Sequence, residues 1–289
     1  MNDYESIKWN EIELDDDQAR FVPSDSDFGD GAVLARLEDL GGILACPDTR
    51  ESLVLSHKGL RTAAGEPVGD LAGAPILLPR RALKHIRNER WDMVLEPGWS
   101  AFDQYCYVNY VKNAGTATNA EGDDPWYQRH LCRSRRLLEG ASGLVLDVGC
   151  DEPNRSRLLF PNDVRYFGID PSLARKSGFR AIGMAEFLPV ADVRLDGVSF
   201  LTTLDHVFDY HTALAEAHRV LKVGGVLYLA TLIWDKNAEL YNDNVHFHHF
   251  RDFEIKGALR GFRITSLKRY GWKNEKHRYG IYLRAVKTA

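Results

Sequence analysis

Four runs, apolar but for an occasional charged residue, from the middle of the 289-residue chain onward constrain its fold more than any other feature. They occupy residues 144–148, 164–169, 197–201 and 226–231. A strand with one face in water alternates polar and apolar residues. A run that is apolar throughout fits a strand covered on both faces, as in a parallel sheet. Helical segments separate the runs. In 211–221 the residues Ala213, Leu214, Ala217, Val220 and Leu221 form one stripe, with Asp209 placed to cap the start and Gly224 and Gly225 to end it. A further helix is expected at 252–259. The tail segments FRITSLKRYGW and HRYGIYLRAVK alternate like an antiparallel pair. The pattern predicts an α/β fold with a doubly wound, mostly parallel sheet and a C-terminal antiparallel hairpin.

Residues 1–90 read as an N-terminal α+β appendage. They open polar and acidic, turn helical over 32–40, and reach Gly41 and Gly42. Short strands follow (ILACP, SLVLS, APILLP), then a second helical stretch over 80–90. In residues 91–124, Trp99, Phe102, Tyr105, Cys106 and Tyr110 recur at three- and four-residue steps, which suits an amphipathic helix. The small polar residues 112–123 after it suit a mobile loop, so 91–124 is read as a lid over the active site or a contact with a partner. Asp124 as N-cap and Pro125 at the first helical position open a helix running to about Glu139. The main domain is then 125–289.

The formal net charge is −4, and no run of five or six like charges occurs, which argues against a nucleic-acid face. Arg129, Arg133, Arg135 and Arg136 are read as a solvated helix face. No stretch reaches the roughly 20 apolar residues that span a bilayer. The acidic N-terminus has neither part of a signal peptide. Cys46, Cys106, Cys132 and Cys150 form no C-x-x-C pair, so reduced thiols and a cytoplasmic setting are expected.

Chemistry concentrates where the apolar runs end. The first closes on Leu146-Asp147-Val148-Gly149-Cys150, an acid followed by a tight turn. Twenty-three residues after Asp147, the second closes on Gly168-Ile169-Asp170-Pro171. An acid at about that distance from a glycine turn suits the hydroxyls of a ribose, because a carboxylate accepts two hydrogen bonds from a vicinal diol. Ala185-Glu186-Phe187-Leu188-Pro189, Leu204-Asp205-His206-Val207 and Arg219-Val220-Leu221-Lys222-Val223-Gly224-Gly225 follow in order.

This series resembles the class I S-adenosylmethionine-dependent methyltransferases with a Rossmann-like fold, most of all their small-molecule branch, over residues 125–287. The resemblance implies S-adenosyl-L-methionine as cofactor. It implies that Asp147 and Gly149 shape the pocket for the methionine end, that Asp170 binds the ribose, that Ala185 and Glu186 lie beside the adenine, and that Cys150, Pro171 and Leu204 are further cofactor-binding residues. The family's loop usually reads G-x-G-x-G, whereas Asp151 and Pro153 stand at the second and third glycine positions here. The loop is therefore expected to take another path.

For an acceptor hydroxyl the reaction needs alignment and a base. His206, just past the fourth strand, is the first candidate, with packing as its alternative and a helix cap as that of Asp205. His246 and His248 would share a face if extended. No third ligand is apparent near them, so no metal is expected; the resemblance implies that they precede a helix over the acceptor pocket. Tyr127, Tyr210, Trp234 and Tyr241 are further lining candidates. Residues 43–79 also resemble the zinc-ribbon-like domains of some RNA methyltransferases, degenerate here because Thr49 stands where Cys46 needs a partner. The expected activity is methylation of a small molecule or glycan at oxygen or nitrogen. An RNA or protein methyltransferase and a non-catalytic cofactor-binding scaffold are the alternatives. The oligomeric state stays open.

Overall fold

The computed structural model describes residues 13–15, 30–71, 73–83, 86–87, 92–93, 100–107, 125–151, 156–172, 180–234, 246–272 and 275–289. Its N-terminal part holds the short strands β1 (Glu13–Asp15), β2 (Val33–Leu34), β3 (Val54–Ser56), β4 (Gly59–Arg61), β5 (Asp70–Leu71), β6 (Ala74–Leu77), β7 (Ile86–Arg87) and β8 (Asp92–Met93). Helices α1 (Arg80–Leu83), α2 (Ala101–Tyr107) and α3 (Pro125–Leu138) lead to the long strands. These are β9 (Gly143–Val148), β10 (Val164–Asp170), β11 (Arg180–Gly183), β12 (Leu195–Leu201) and β13 (Leu221–Trp234). Helix α4 (Tyr210–Val220) precedes β13; helix α5 (Asp252–Ala258) precedes the hairpin β14 (Phe262–Trp272) and β15 (Glu275–Lys287).

The main sheet runs β1-β14-β15-β13-β12-β9-β10-β11-β6-β5, with β2 also on β10. Strands β9 to β13 pair in parallel; β15 is antiparallel to both β13 and β14. This is the mostly parallel α/β sheet with a C-terminal hairpin that the apolar runs predict. Burial explains the runs: Leu144, Val145, Leu146 and Val148 are all at most 3% exposed. Leu146 and Val148 join a core with Ala213, Leu214, Ala217 and Val220 of α4. Val145 faces the opposite layer with Leu137 and Leu138 of α3. Chain order reverses between β9 and β12, which lie side by side, and this opens a crevice at their carboxyl ends.

Three expectations are corrected. Residues 32–40 hold β2 and a 3-10 turn at Leu37–Leu40 in place of a helix. The Ala32 and Ala35 amides donate to Arg157 and Tyr166 carbonyls, so pairing with the open edge of β10 outweighs the local helical pattern. The helix expected over 80–90 stops at Leu83, and Ile86–Arg87 pairs with Asp92–Met93. Helix α4 ends at Val220 without help from Gly224 and Gly225, because Leu221 already pairs with Leu195.

Residues 43–79 are woven into the main fold. Strand β6 hydrogen-bonds in parallel to β11, and Leu40, Leu44, Leu53, Leu60 and Leu77 share one core with the central strands. Cys46 is a half-buried free thiol. Among the described residues no helix is long and apolar enough to cross a membrane.

Candidate active site

The two acids that end the first apolar runs lie at the same edge of the sheet. Parallel pairing sets Gly168 beside Asp147 and Ile169 beside Val148, so Asp170 stands two residues further toward the carboxyl ends.

Asp147 is sealed in. Ser199 Oγ donates to its Oδ1 at 2.6 Å and the Tyr166 hydroxyl to its Oδ2 at 2.8 Å. Burial pushes its carboxyl up to about 6, against those two hydrogen bonds. Cys150 also points inward: a β-carbon on Gly168 would lie 2.6 Å from its Sγ, and burial holds the thiol well above its ordinary value. Leu204 is a core residue at 0% exposure. The side chains of Asp147, Cys150 and Leu204 are thus all buried.

The altered loop keeps the left-handed backbone that glycine favours. Gly149 has φ +76°, and Asp151 has φ +50° despite its side chain. A β-carbon at Gly149 would meet Thr203 Cγ2 at 2.3 Å, so the turns after β9 and β12 touch across the crevice. The Asp151 amide donates to Asp170 Oδ2 at 3.0 Å. Asp151 thus adopts the left-handed region itself, which Asp tolerates better than most residues. Pro153 lies outside the described residues, as do Tyr241 and the side chain of Tyr127. Thr202 also has positive φ (+56°), although β-branched, and its amide is held by the Ala230 carbonyl at 2.8 Å.

Asp170 is oriented from three sides. Asp151 N–H donates to one oxygen, Ser172 N–H to the other at 2.8 Å, and the fully buried Arg180 guanidinium stands 3.4 Å away. Each oxygen keeps a second acceptor position. Pro171 follows, half-buried. Sequence reasoning passed over Arg180; its one signal is a charge at the head of an otherwise apolar strand.

Glu186 is buried at 2% exposure. Its Oε1 accepts the Phe208 and Asp209 amides at 2.6 and 3.1 Å, tying the Ala185–Phe187 turn to the start of α4. Among the described residues its Oε2 has no hydrogen-bond partner. Burial raises this carboxyl, against the hydrogen bonds from the backbone.

Helix α2 roofs the edge. Ser100 and Asp103 exchange the reciprocal hydrogen bonds of a capping box. Tyr105 packs on Phe208 at 5.5 Å and on Phe247 at 5.0 Å between ring centres; Phe102 packs on Phe208 at 5.4 Å. Arg81 of α1 stacks between Phe102 and Phe187, at 4.1 and 4.4 Å. Burial, then the Glu186 charge, holds the Tyr105 phenol well above its ordinary value.

The three candidate histidines part company. The Phe247 and His248 amides donate to the Asp205 carbonyl at 2.9 and 3.0 Å, laying this segment across the Leu204–His206 turn. A bend at Phe247 keeps His246 and His248 from sharing surroundings. His246 lies 4.7 Å from the His206 ring, and its Nε2 is 3.8 Å from Asp205 Oδ2. His248 Nε2 binds the Val207 carbonyl at 2.8 Å, with Tyr210 and Phe250 against its ring. Asp205 caps no helix; Asp209 caps α4, accepting the His211 and Thr212 amides. One ligand atom each of Asp205, His206 and His246 lie within 4.8 Å of one another. The third group beside the histidines thus comes from 41 residues upstream of His246. Trp234, at the end of β13, packs on His246 and His249.

A Rossmann-like sheet with two acids and a glycine turn at its switch point defines the class, a nucleotide-type cofactor domain. The methyltransferase domain family matches residues 126–275, more than half of the chain, and the protein belongs to that family. A Mycolicibacterium smegmatis protein named "Probable S-adenosylmethionine-dependent methyltransferase" is 30% identical over 115 residues, covering 37% of this chain and 45% of that protein. The chain thus spans less than half the length of that curated relative. The structure of Burkholderia thailandensis 1,6-didemethyltoxoflavin-N1-methyltransferase, with 1,6-didemethyltoxoflavin and S-adenosylhomocysteine bound, is similar in fold at TM-score 0.51 and 20% identity. That likeness covers 68% of this chain and 95% of the Burkholderia chain.

Proposed function

We propose that the protein transfers a methyl group from S-adenosylmethionine to oxygen or nitrogen of a small-molecule or glycan acceptor. The observation that carries this reading is the edge just described, acids and imidazoles around one crevice under an aromatic roof. The donor set suits the cofactor. Asp170 has acceptor positions to spare for a ribose diol. Buried Glu186, beside the adenine in this reading, and Asp205 add negative charge that favours a sulfonium and an ammonium. The backbone at Gly149 and Cys150 would line the methionine end.

When bound, S-adenosylmethionine supplies an electrophilic methyl group on sulfur. The chain's part is to align an acceptor lone pair and exclude water. In this reading His206 takes the acceptor's proton on an imidazole nitrogen, with buried Asp205 near it. Phe102, Tyr105, Phe208 and Phe247 close the roof over this side. An aromatic cover over this edge and a net charge of −4 favour a compact acceptor over an RNA backbone.

Calorimetry with S-adenosylhomocysteine tests the cofactor half. Binding is expected, and Asp170→Asn should weaken it by about tenfold or more, the scale of a lost charge-assisted hydrogen bond. No detectable heat at millimolar ligand would rule the reading out. Methyl transfer from radiolabelled S-adenosylmethionine across a panel of phenols, amines and sugars tests the acceptor half.

A further inference from the structure

Among the described residues no hydrogen-bond donor reaches either carboxylate oxygen of Asp205, although the residue is only 1% exposed. Native proteins rarely bury a carboxylate without a compensating partner. The groups facing it are imidazoles. His246 Nε2 stands 3.8 Å from Oδ2, and a nitrogen of His206 completes a cluster whose ligand atoms all lie within 4.8 Å of one another. The scaffold is fixed by the two hydrogen bonds that the Phe247 and His248 amides donate to the Asp205 carbonyl, which clamp the two ligand-bearing segments together.

We propose that Asp205, His206 and His246 bind a first-row divalent transition ion, of the Zn²⁺ or Fe²⁺ kind. Two imidazoles and one carboxylate are the donor set that holds such ions while leaving coordination positions open, whereas Mg²⁺ and Ca²⁺ prefer all-oxygen shells. Each ligand atom would stand about 2.1 Å from the ion, so the three atoms, now all within 4.8 Å of one another, would draw in to about 3–3.4 Å. His248 is excluded, since its Nε2 is committed to Val207. The site stands without the methyl-transfer reading. Where that reading holds, an open position would take the acceptor hydroxyl and lower its pKa, so that its proton passes to water and His206 acts as a ligand in place of a base.

The test is titration of the full chain, stripped with chelator, with Co²⁺ followed by visible d–d absorption and with Zn²⁺ by calorimetry. One ion per chain is expected. Asp205→Asn and His246→Gln should each weaken binding by more than about 100-fold, beyond the loss of an outer-shell partner. His248→Gln should bind as the unaltered protein does. Circular dichroism checks each variant's fold; should Asp205→Asn not fold, His246→Gln decides. Absence of saturable binding, or a Co²⁺ spectrum that survives His246→Gln, overturns the proposal. S-adenosylhomocysteine binding is measured separately on the metal-free protein, so failure of the cofactor reading leaves this result untouched.

Discussion

Asp147 and His130 are both sealed in the interior, and burial moves their titrations toward opposite consequences. His130 of α3 shares a 2.9 Å hydrogen bond with the Tyr282 hydroxyl. Burial, then the Arg133 charge, lowers it from the ordinary 6.5 to about 4. The unfolded chain therefore binds more protons at this group between those values, so its contribution to stability falls as pH drops from 6.5 to 4. The full effect is about 3 kcal/mol. The Asp147 carboxyl, raised from 3.8 to about 6, works the other way: the folded chain binds more protons, and stability is lost as pH rises through that window. The difference in Tm between His130→Gln and the unaltered protein should therefore shift in the variant's favour as pH falls toward 4. Thermal scans across that range check it, and a difference independent of pH would refute the assignment. Asp147→Asn should show the opposite trend.

Asp151 carries a second prediction at this scale, since its φ of +50° costs a non-glycine residue about 1 kcal/mol. Asp151→Gly should raise Tm by about 2–4 °C, and Asp151→Val, β-branched, should lower it by at least as much. The need for positive φ was legible in the family pattern. That an acid meets it is a property of the fold, because the Asp151 amide finds its acceptor on a neighbouring strand.

Among the elements, α4 does the most to place the crevice. Asp209 caps it through the His211 and Thr212 amides, and its Oδ2 accepts the Thr212 hydroxyl at 2.6 Å. Asp209→Ala should cost about 1 kcal/mol. Leu214, buried at 1% in the core beneath the sheet, should cost about 2–5 kcal/mol when cut to Ala. Chemical denaturation measures both. The stripe and the cap were readable because each is a local pattern within one helix. Helix α2 was legible as an amphipathic helix from its aromatic spacing, but its partners were not. Phe208 and Phe247 come from distant turns, and only packing selects them.

At the scale of the whole molecule, the N-terminal segment completes the sheet. Strand β6 covers the edge of β11, and five leucines between residues 40 and 77 enter the central core. A chain beginning at Pro125 would expose that edge as well as apolar surface, and is expected to aggregate or to melt at least about 10 °C lower. Light scattering and thermal melts of the truncated chain would decide this; an equally stable monomer would show the segment dispensable.

The apolar runs, with their acids and turns, determined the parallel sheet, its order of elements and the two carboxylates at one edge. These follow from periodicity and local chemistry, which a single segment carries by itself. Which side chains converge on that edge was decided only by tertiary structure. Asp205 meets His246 across 41 residues, Arg180 slides beneath Asp170, and Asp147 is sealed by Ser199 and Tyr166. Such contacts depend on strand register and on which face each residue takes, and no stretch of sequence encodes either alone.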